Sequence, residues 1–414
     1  MIRRTRTAIT IAALLAVAAG LAGCSSDAPS ASRSDATTTS TGGATSTTRV
    51  RTTTAGPQPE SFRGPAEAFY EVPDPLPAGT PGQLIRTMPV GAPDGSSGMR
   101  VMYHSTDEKG TDRAVTGLLY VPDGAAPAGG WPVVAWAHGT TGLAAPCAPS
   151  HHPAPPPDYG VKAVQVATDY IGLGPVGELH PYLNAAAEGH AVIDEVVAAR
   201  SMPDVHAGDE WLVAGVSQGG HAALVTGEMA SARLPDAKLL GTVALAPGAE
   251  LGETYGDQLQ LRVITTMVLA GVAAEDPDVH LADYLNPAAL VSSAVIQQGC
   301  VQDISAAMAG PAADPGYFTT DPRTAPVGQA WLKVNDPGHV ASKAPILLVQ
   351  GEQDSLVLPA RTAALHRRLC GLGQVVEQVD VPGADHDTVV AKSVDQVSRW
   401  VQARFAGQPV ATDC

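Results

Sequence analysis

Positive charge is scarce in this sequence: 25 Lys and Arg stand against 41 Asp and Glu in 414 residues, a formal net charge of −16. After Arg3, Arg4 and Arg6 no basic cluster longer than a few residues occurs. That argues against a phosphate-binding surface and against nucleic acid as a partner. Long apolar runs are also missing. Ala8–Ala22 is almost unbroken but too short for a comfortable membrane span. No CxxC pair or Cys/His spacing suggests a zinc site. No internal repeat is visible, and nothing calls for a metal or other cofactor or for an obligate protein partner. What is plentiful is apolar residue content, at 44% enough for a substantial core.

The apolar run at Ala8–Ala22 follows three arginines and ends in Leu21-Ala22-Gly23-Cys24. This has the form of a signal peptide over residues 1–23, with Cys24 as the residue that would be lipidated and become the first of the mature chain. Residues 24–60 are rich in Ser, Thr, Ala and Gly and cannot bury enough surface to fold, so a disordered tether is expected there. The protein is therefore expected to be exported and lipid-anchored at the outer face of a bacterial cell membrane, or secreted. Four further cysteines, Cys147, Cys300, Cys370 and Cys414, make an even count that permits two disulfides in an exported protein.

The folded part, 61–414, opens with two strand-like runs, Met99–Ser105 and Val115–Val121, joined at Lys109-Gly110. Strand and helix signals then alternate. Pro132–Ala137, Ala163–Thr168, Trp211–Val216, Leu239–Ala246, Ile346–Gln350 and Val375–Val381 read as strands. Ala185–Arg200, Gln218–Ala232, Arg361–Leu369 and Thr388–Phe405 read as helices. Such alternation predicts an α/β fold with a mainly parallel sheet and helices on both faces. About a hundred residues between Ala246 and Ile346 break the pattern and exceed any ordinary connection. Asp257–Val272, Pro287–Gln298 and Val301–Met308 are helix-compatible there. An inserted helical cap over about 250–340 is expected, one wide enough to roof a site.

The chemistry centres on Gly215-Val216-Ser217-Gln218-Gly219, which follows a strand and opens a helix. A serine at that turn is exposed at the carboxyl end of the sheet, and small neighbours permit the tight backbone. Its acid and base should follow in the order Asp or Glu, then His. Asp354 lies in the loop after the Ile346–Gln350 strand, with Glu352 as the competing carboxylate. His386 lies in the loop after the last strand, between Asp385 and Asp387. His339 comes too early in the chain, and His366 falls within a helical run. The oxyanion needs backbone donors. The N–H of Gln218 is one candidate. Thr140 or Thr141, in the loop Ala137-His138-Gly139-Thr140-Thr141-Gly142, would supply the other. His138 there, and Asp169 in the Asp169-Tyr170 loop, read as structural. Cys147, just past the oxyanion loop, is expected to pair with Cys300 in the cap. Cys370 is expected to pair with Cys414, pinning the C-terminal tail.

Taken in this order, Phe69-Tyr70, Gly82–Arg86, Arg100–Val121, the His138–Gly142 loop, the Asp169–Gly174 loop, Gly215–Gly220, Gly351–Val357 and Ala384–His386 resemble the secretory lipase family, Candida-type α/β-hydrolases with actinobacterial relatives. The resemblance spans roughly Phe69 to Phe405. It implies an α/β-hydrolase fold with a helical cap and a lipase or carboxylesterase acting on lipid or other esters. It also implies the nucleophile, acid and base roles for Ser217, Asp354 and His386. The lipobox and tether depart from a plain secretory signal and bear on free secretion. The rival readings are an exported peptidase or amidase on the same fold, and a non-catalytic binding lipoprotein.

Overall fold

The computed structural model of the protein describes residues 58–254 and 258–414. The leader at 1–23, Cys24 and the tether as far as residue 57 lie outside the described residues. In chain order the elements up to the insertion are β1 (Glu60–Ser61), β2 (Leu84–Val90), β3 (Ser96–Thr106), β4 (Asp112–Pro122), β5 (Trp131–Ala137), β6 (Val164–Thr168), α1 (Ala185–Ser201), β7 (Ala207–Val216), α2 (Gln218–Arg233) and β8 (Lys238–Leu245). The insertion carries α3 (Leu259–Glu275), α4 (Pro287–Ser293), α5 (Val301–Ala312) and α6 (Pro326–Asn335). The chain then closes with β9 (Ile346–Gly351), α7 (Pro359–Gly371), β10 (Val376–Val381) and α8 (Val389–Phe405).

All ten strands join one sheet in the order β1-β2-β3-β4-β6-β5-β7-β8-β9-β10. From β6 to β10 the neighbours run parallel, while β2, β3, β4 and the β4–β6 contact are antiparallel. The mainly parallel sheet expected from the alternation is thus observed. Buried parallel strands are apolar on both faces, and here the two faces sort by residue parity. Val133, Ala135, Trp211 and Val213 pack with α1 and α2 through Val192, Ile193, Val196, Ala222 and Ala223. Val134, Leu212, Ala214, Val243, Leu245, Leu347 and Val349 pack with α8 through Val389, Val397, Trp400 and Val401. Helix α1 is started by Asn184, whose side chain accepts from the Ala187 N–H.

Strand β2 is an addition to the sequence expectation. It contains Pro89 and lacks clean alternation, so no period-2 signal marks it, yet it pairs antiparallel with β3. Glu60 and Ser61 form β1, parallel to β2, so the last expected tether residue, Glu60, already pairs in the sheet.

The insertion is helical, with two departures. The expected helix Pro287–Gln298 ends at Ser293 and continues as a 3₁₀ turn, Ala294–Gln297. The hydroxyls of Ser292 and Ser293 donate to the carbonyls of Ala289 and Leu290, competing with the helix ladder. Helix α6, with Pro326 in its first turn, was not marked by an apolar run. Leu261, Val263, Met267, Leu269 and Ala270 of α3 are buried, most of them in a core that the insertion shares with Leu143, Tyr182 and Leu183 of the main domain. Much of the apolar surface of α3 is therefore spent on holding the insertion together.

Disulfides join Cys147 to Cys300 and Cys370 to Cys414. The first ties the segment after β5 to the start of α5, beside a β-bridge between Gly142 and Cys300 and a hydrogen bond from the Val301 N–H to the Thr141 carbonyl, 2.8 Å. It closes a loop of 153 residues in sequence separation. Replacing both Cys147 and Cys300 by Ser is expected to lower unfolding stability by about 2–4 kcal/mol, read from the guanidinium midpoint. An unchanged midpoint would refute a stabilising role for this cross-link.

Candidate active site

Ser217 sits between β7 and α2 with φ 58° and ψ −115°, a left-handed conformation rare for a residue with a Cβ. The turn is held from several sides. The Ser217 N–H donates to the Leu245 carbonyl at 2.9 Å, and its own carbonyl accepts from Gly248 at 2.9 Å and His221 at 3.1 Å. The flanking glycines are sterically required. A methyl group on Gly215 would overlap the Gly219 carbonyl, and one on Gly219 would overlap that of Ala137. The second contact brings β5 and its following loop against the turn. A Cβ built on Gly139 would lie 3.9 Å from the Ser217 Cβ, so the candidate oxyanion loop borders the serine.

Asp354 and His386 meet. Asp354 is only 3% exposed. Its Oδ1 accepts from the N–H groups of Leu356 and Val357 at 2.9 and 2.8 Å. Its Oδ2 lies 2.8 Å from His386 Nδ1. Two backbone hydrogen bonds, Glu352 N–H to Val381 and Gln353 N–H to Ala384, hold the two loops together. Glu352 is exposed and does not reach His386. Asp385 is exposed and accepts from the N–H and hydroxyl of Thr388 in the turn that leads into α8. His339 is exposed and pairs with Asp336, and His366 bonds Asp413 beside the Cys370–Cys414 bridge. The Ser217 hydroxyl has no hydrogen-bond partner among the described residues, so the serine–histidine contact belongs to the functional reading and not to the observed bonds.

Thr140 and Thr141 differ. The Thr140 hydroxyl is 2.7 Å from the Tyr182 hydroxyl. The Thr141 Oγ1 is buried without a partner, and its carbonyl is taken by Val301 of the insertion. Neither N–H donates to a backbone carbonyl among the described residues, which leaves both available as donors. The His138 ring lies tilted against Tyr170 with centroids 4.4 Å apart, and the Tyr170 hydroxyl donates to the His138 carbonyl. Buried Asp169 accepts from the Thr116 hydroxyl and from the Ser150 N–H and hydroxyl. Both residues thus hold loops.

Sequence reasoning missed a buried polar cluster behind the serine. Glu188 of α1, fully buried, accepts through Oε1 from Gln218 Nε2 at 2.8 Å and from the Leu183 N–H at 3.1 Å, and its Oε2 is 2.6 Å from His221 Nδ1. His221 Nε2 is 2.8 Å from the Asn335 carbonyl, at the end of α6. His180 donates from Nδ1 to the Ile171 carbonyl and receives the Gln218 amide on Nε2 at 2.7 Å. The available clue is a lone glutamate in the otherwise small and apolar start of α1, Ala185-Ala186-Ala187-Glu188-Gly189.

Burial alone would raise the Glu188 pKa, but the charge and hydrogen bond of His221 above all hold it below the ordinary 4.5, at about 2. Burial alone would lower that of His221, but Glu188 overrides it and raises it above 6.5, with Asp336 adding to the effect. Glu228 also feels the His221 charge. The Glu188 contribution to stability is therefore present above about pH 4.5 and lost as pH falls toward 2. The His221 contribution is present below pH 6.5 and lost as pH rises through its raised pKa. Between about pH 4.5 and 6.5 the pair stabilises fully. The denaturation midpoint of Glu188→Gln is expected to vary less with pH on both sides of this window than that of the parent. Parallel curves would contradict the assignment.

Two clefts flank the insertion. One is lined by Val268, Leu269, Val272, Val327 and Trp331, the other by Leu179 and Ala273 with Arg113 and Glu275. Ser217, Asp354 and His386 line neither. Among the described residues one cluster has metal-type side chains, His366, Cys370 and Cys414, and both of its sulfurs are in the disulfide. No described helix is long and apolar enough to cross a membrane.

A sequence model of the secretory lipases matches residues 159–413. Comparison with curated proteins gave no match. Among solved structures, the rice cell wall degrading esterase LipA from Xanthomonas oryzae is similar with a TM-score of 0.66 at 17% identity, covering 80% of this chain and all of that one. Candida antarctica lipase A in its closed state is similar with a TM-score of 0.67 at 16% identity, covering 83% of this chain and 87% of that one. At these identities the likeness speaks for the α/β-hydrolase fold.

Proposed function

Because the chain belongs to the secretory lipase family and is a carboxylic ester hydrolase, we propose that Ser217, Asp354 and His386 are its nucleophile, acid and base. His386 takes the Ser217 proton as the hydroxyl oxygen attacks the ester carbonyl. Asp354 orients the ring and stabilises the imidazolium that forms. The N–H of Gln218, together with that of Thr140 or Thr141, carries the oxyanion. His386 returns the proton to the departing alcohol. A water activated by the same ring then splits the acyl-enzyme and releases the acid.

The observation that carries this reading is the 2.8 Å bond from His386 to the otherwise saturated, buried Asp354. It supports a base with a set tautomer beside a strained serine. Export through residues 1–23 and a lipid on Cys24 complete the proposal, with the tether at 24–60 holding the enzyme at a membrane surface. Cys24→Ala should then move the protein from the membrane fraction to the medium.

Selectivity falls to the cap, since the triad treats acyl esters alike. The apolar cleft at Val268, Val272 and Val327, which the triad residues do not line, is proposed to receive the distal end of the acyl chain, each buried methylene contributing about 0.8 kcal/mol. The test is a p-nitrophenyl ester series from acetyl to palmitoyl, with aminoacyl-nitroanilides alongside. Esters alone should be cleaved, and Val272→Phe should shorten the preferred chain while sparing the acetyl ester. Equal losses at every length would make the cap a scaffold, and preferred anilide cleavage would favour an amidase.

A further inference from the structure

Glu188 presents a physical difficulty, given the roles proposed for Ser217 and Gln218, on which this inference rests. A buried carboxylate bonded to the Gln218 side chain lies behind the residue whose N–H is to stabilise a developing anion. Left uncompensated, that charge would oppose the oxyanion, because low-dielectric surroundings screen it poorly. The compensation is on the next turn of α2. The Asn335 carbonyl can only accept, so His221 Nε2 carries a proton. Ionised Glu188 can only accept, so His221 Nδ1 carries the other. His221 is an imidazolium.

We propose that Glu188 and His221 are a positioning pair for the oxyanion site. The carboxylate fixes Gln218, the imidazolium cancels its charge, and the second imidazolium N–H ties the last cap helix to the start of α2. The geometry joins three elements at one point. Glu188 comes from α1, His221 lies four residues past the serine, and Asn335 closes α6. The Asn335 side chain adds a second tie by accepting from the Ala185 N–H at 2.8 Å, at the first turn of α1. His180 completes the cage by receiving the other Gln218 amide hydrogen, 2.7 Å away. The cap is thus anchored on the assembly that holds the oxyanion donor, and seating the cap and orienting the donor become one event.

The test is a double-variant cycle on kcat and KM with p-nitrophenyl butyrate, each preparation titrated with a fluorophosphonate to count reactive serines. His221→Gln leaves Glu188 uncompensated and should lower kcat about 30-fold with KM within about threefold, less than the roughly 10²–10³ lost with an oxyanion donor. Glu188→Gln combined with His221→Gln buries no charge and should regain at least about tenfold of that loss. A single variant within threefold of the parent overturns the proposal. So does a double variant no better than the single one while both keep the parental denaturation midpoint, as mere packing would give. Should His221→Gln not fold, the alkaline side of the kcat profile decides. It should fall in the parent as His221 loses its proton and stay flat in Glu188→Gln, and identical profiles overturn the proposal. Failure of the parent to label at Ser217 would instead overturn the triad reading.

Discussion

Ser217→Ala is expected to lower kcat for ester hydrolysis by about 10⁴- to 10⁶-fold while the fold survives. The loss is large because the covalent path disappears. What remains is oxyanion binding and substrate positioning, which alone give roughly 10³–10⁴ over water. The fold should survive because alanine meets the same backbone demand as serine at φ 58° and, among the described residues, the hydroxyl makes no hydrogen bond whose loss would be felt. The bonds that hold the turn run through the Ser217 N–H and carbonyl, which alanine retains. The variant should also fail to react with a fluorophosphonate. Activity within tenfold of the parent, in a preparation free of host esterases, would remove Ser217 from the mechanism.

The second large effect is Asp354→Asn, expected to cost about 10³–10⁴ in kcat. The substitution is nearly isosteric, and Oδ1 can still accept from Leu356 and Val357. What changes is the atom facing His386 Nδ1. An amide NH₂ there is a donor and requires a lone pair on Nδ1. The ring proton must then sit on Nε2, the nitrogen that should receive the serine proton. The base is blocked by its tautomer and not by any displacement. Glu352→Gln is the control. Glu352 is exposed and makes no hydrogen bond or ion pair with His386, so the change should stay within about threefold. A larger loss from Glu352→Gln than from Asp354→Asn would reverse the assignment of the acid.

The two predictions draw on different kinds of legibility. Ser217 could be read from the chain because its requirements are local: a strand, small residues on either side and a helix start, all within Trp211–Ala223. Asp354 and His386 were readable because each lies in the loop after a strand whose place in the alternation was already plain. The choice of Asp354 over Glu352 was different. Both carboxylates occupy one loop; the turn before Leu356 and Val357 favours Asp354 in the sequence, and the structure sets it apart further by burial and by the Leu356 and Val357 N–H groups. The Glu188–His221–Asn335 assembly was not readable, since its members are separated by 33 and 114 residues. No local pattern reports a contact of that kind.

By itself the sequence determined the α/β alternation, the strand–serine–helix turn and the existence of a helical insertion, because each depends on periodicity or on backbone demands within a few residues. It also determined the chemistry available, a serine, a carboxylate and an imidazole in a workable order. Only the tertiary structure decided which carboxylate holds His386 and how the insertion breaks into helices. It also turned the expected Cys147–Cys300 pairing into an observed bridge and brought His221 against the buried glutamate behind the serine. Those outcomes depend on which distant groups are excluded from water together. Desolvation is a property of the packed core, set by every element that covers a group, and no stretch of chain contains it.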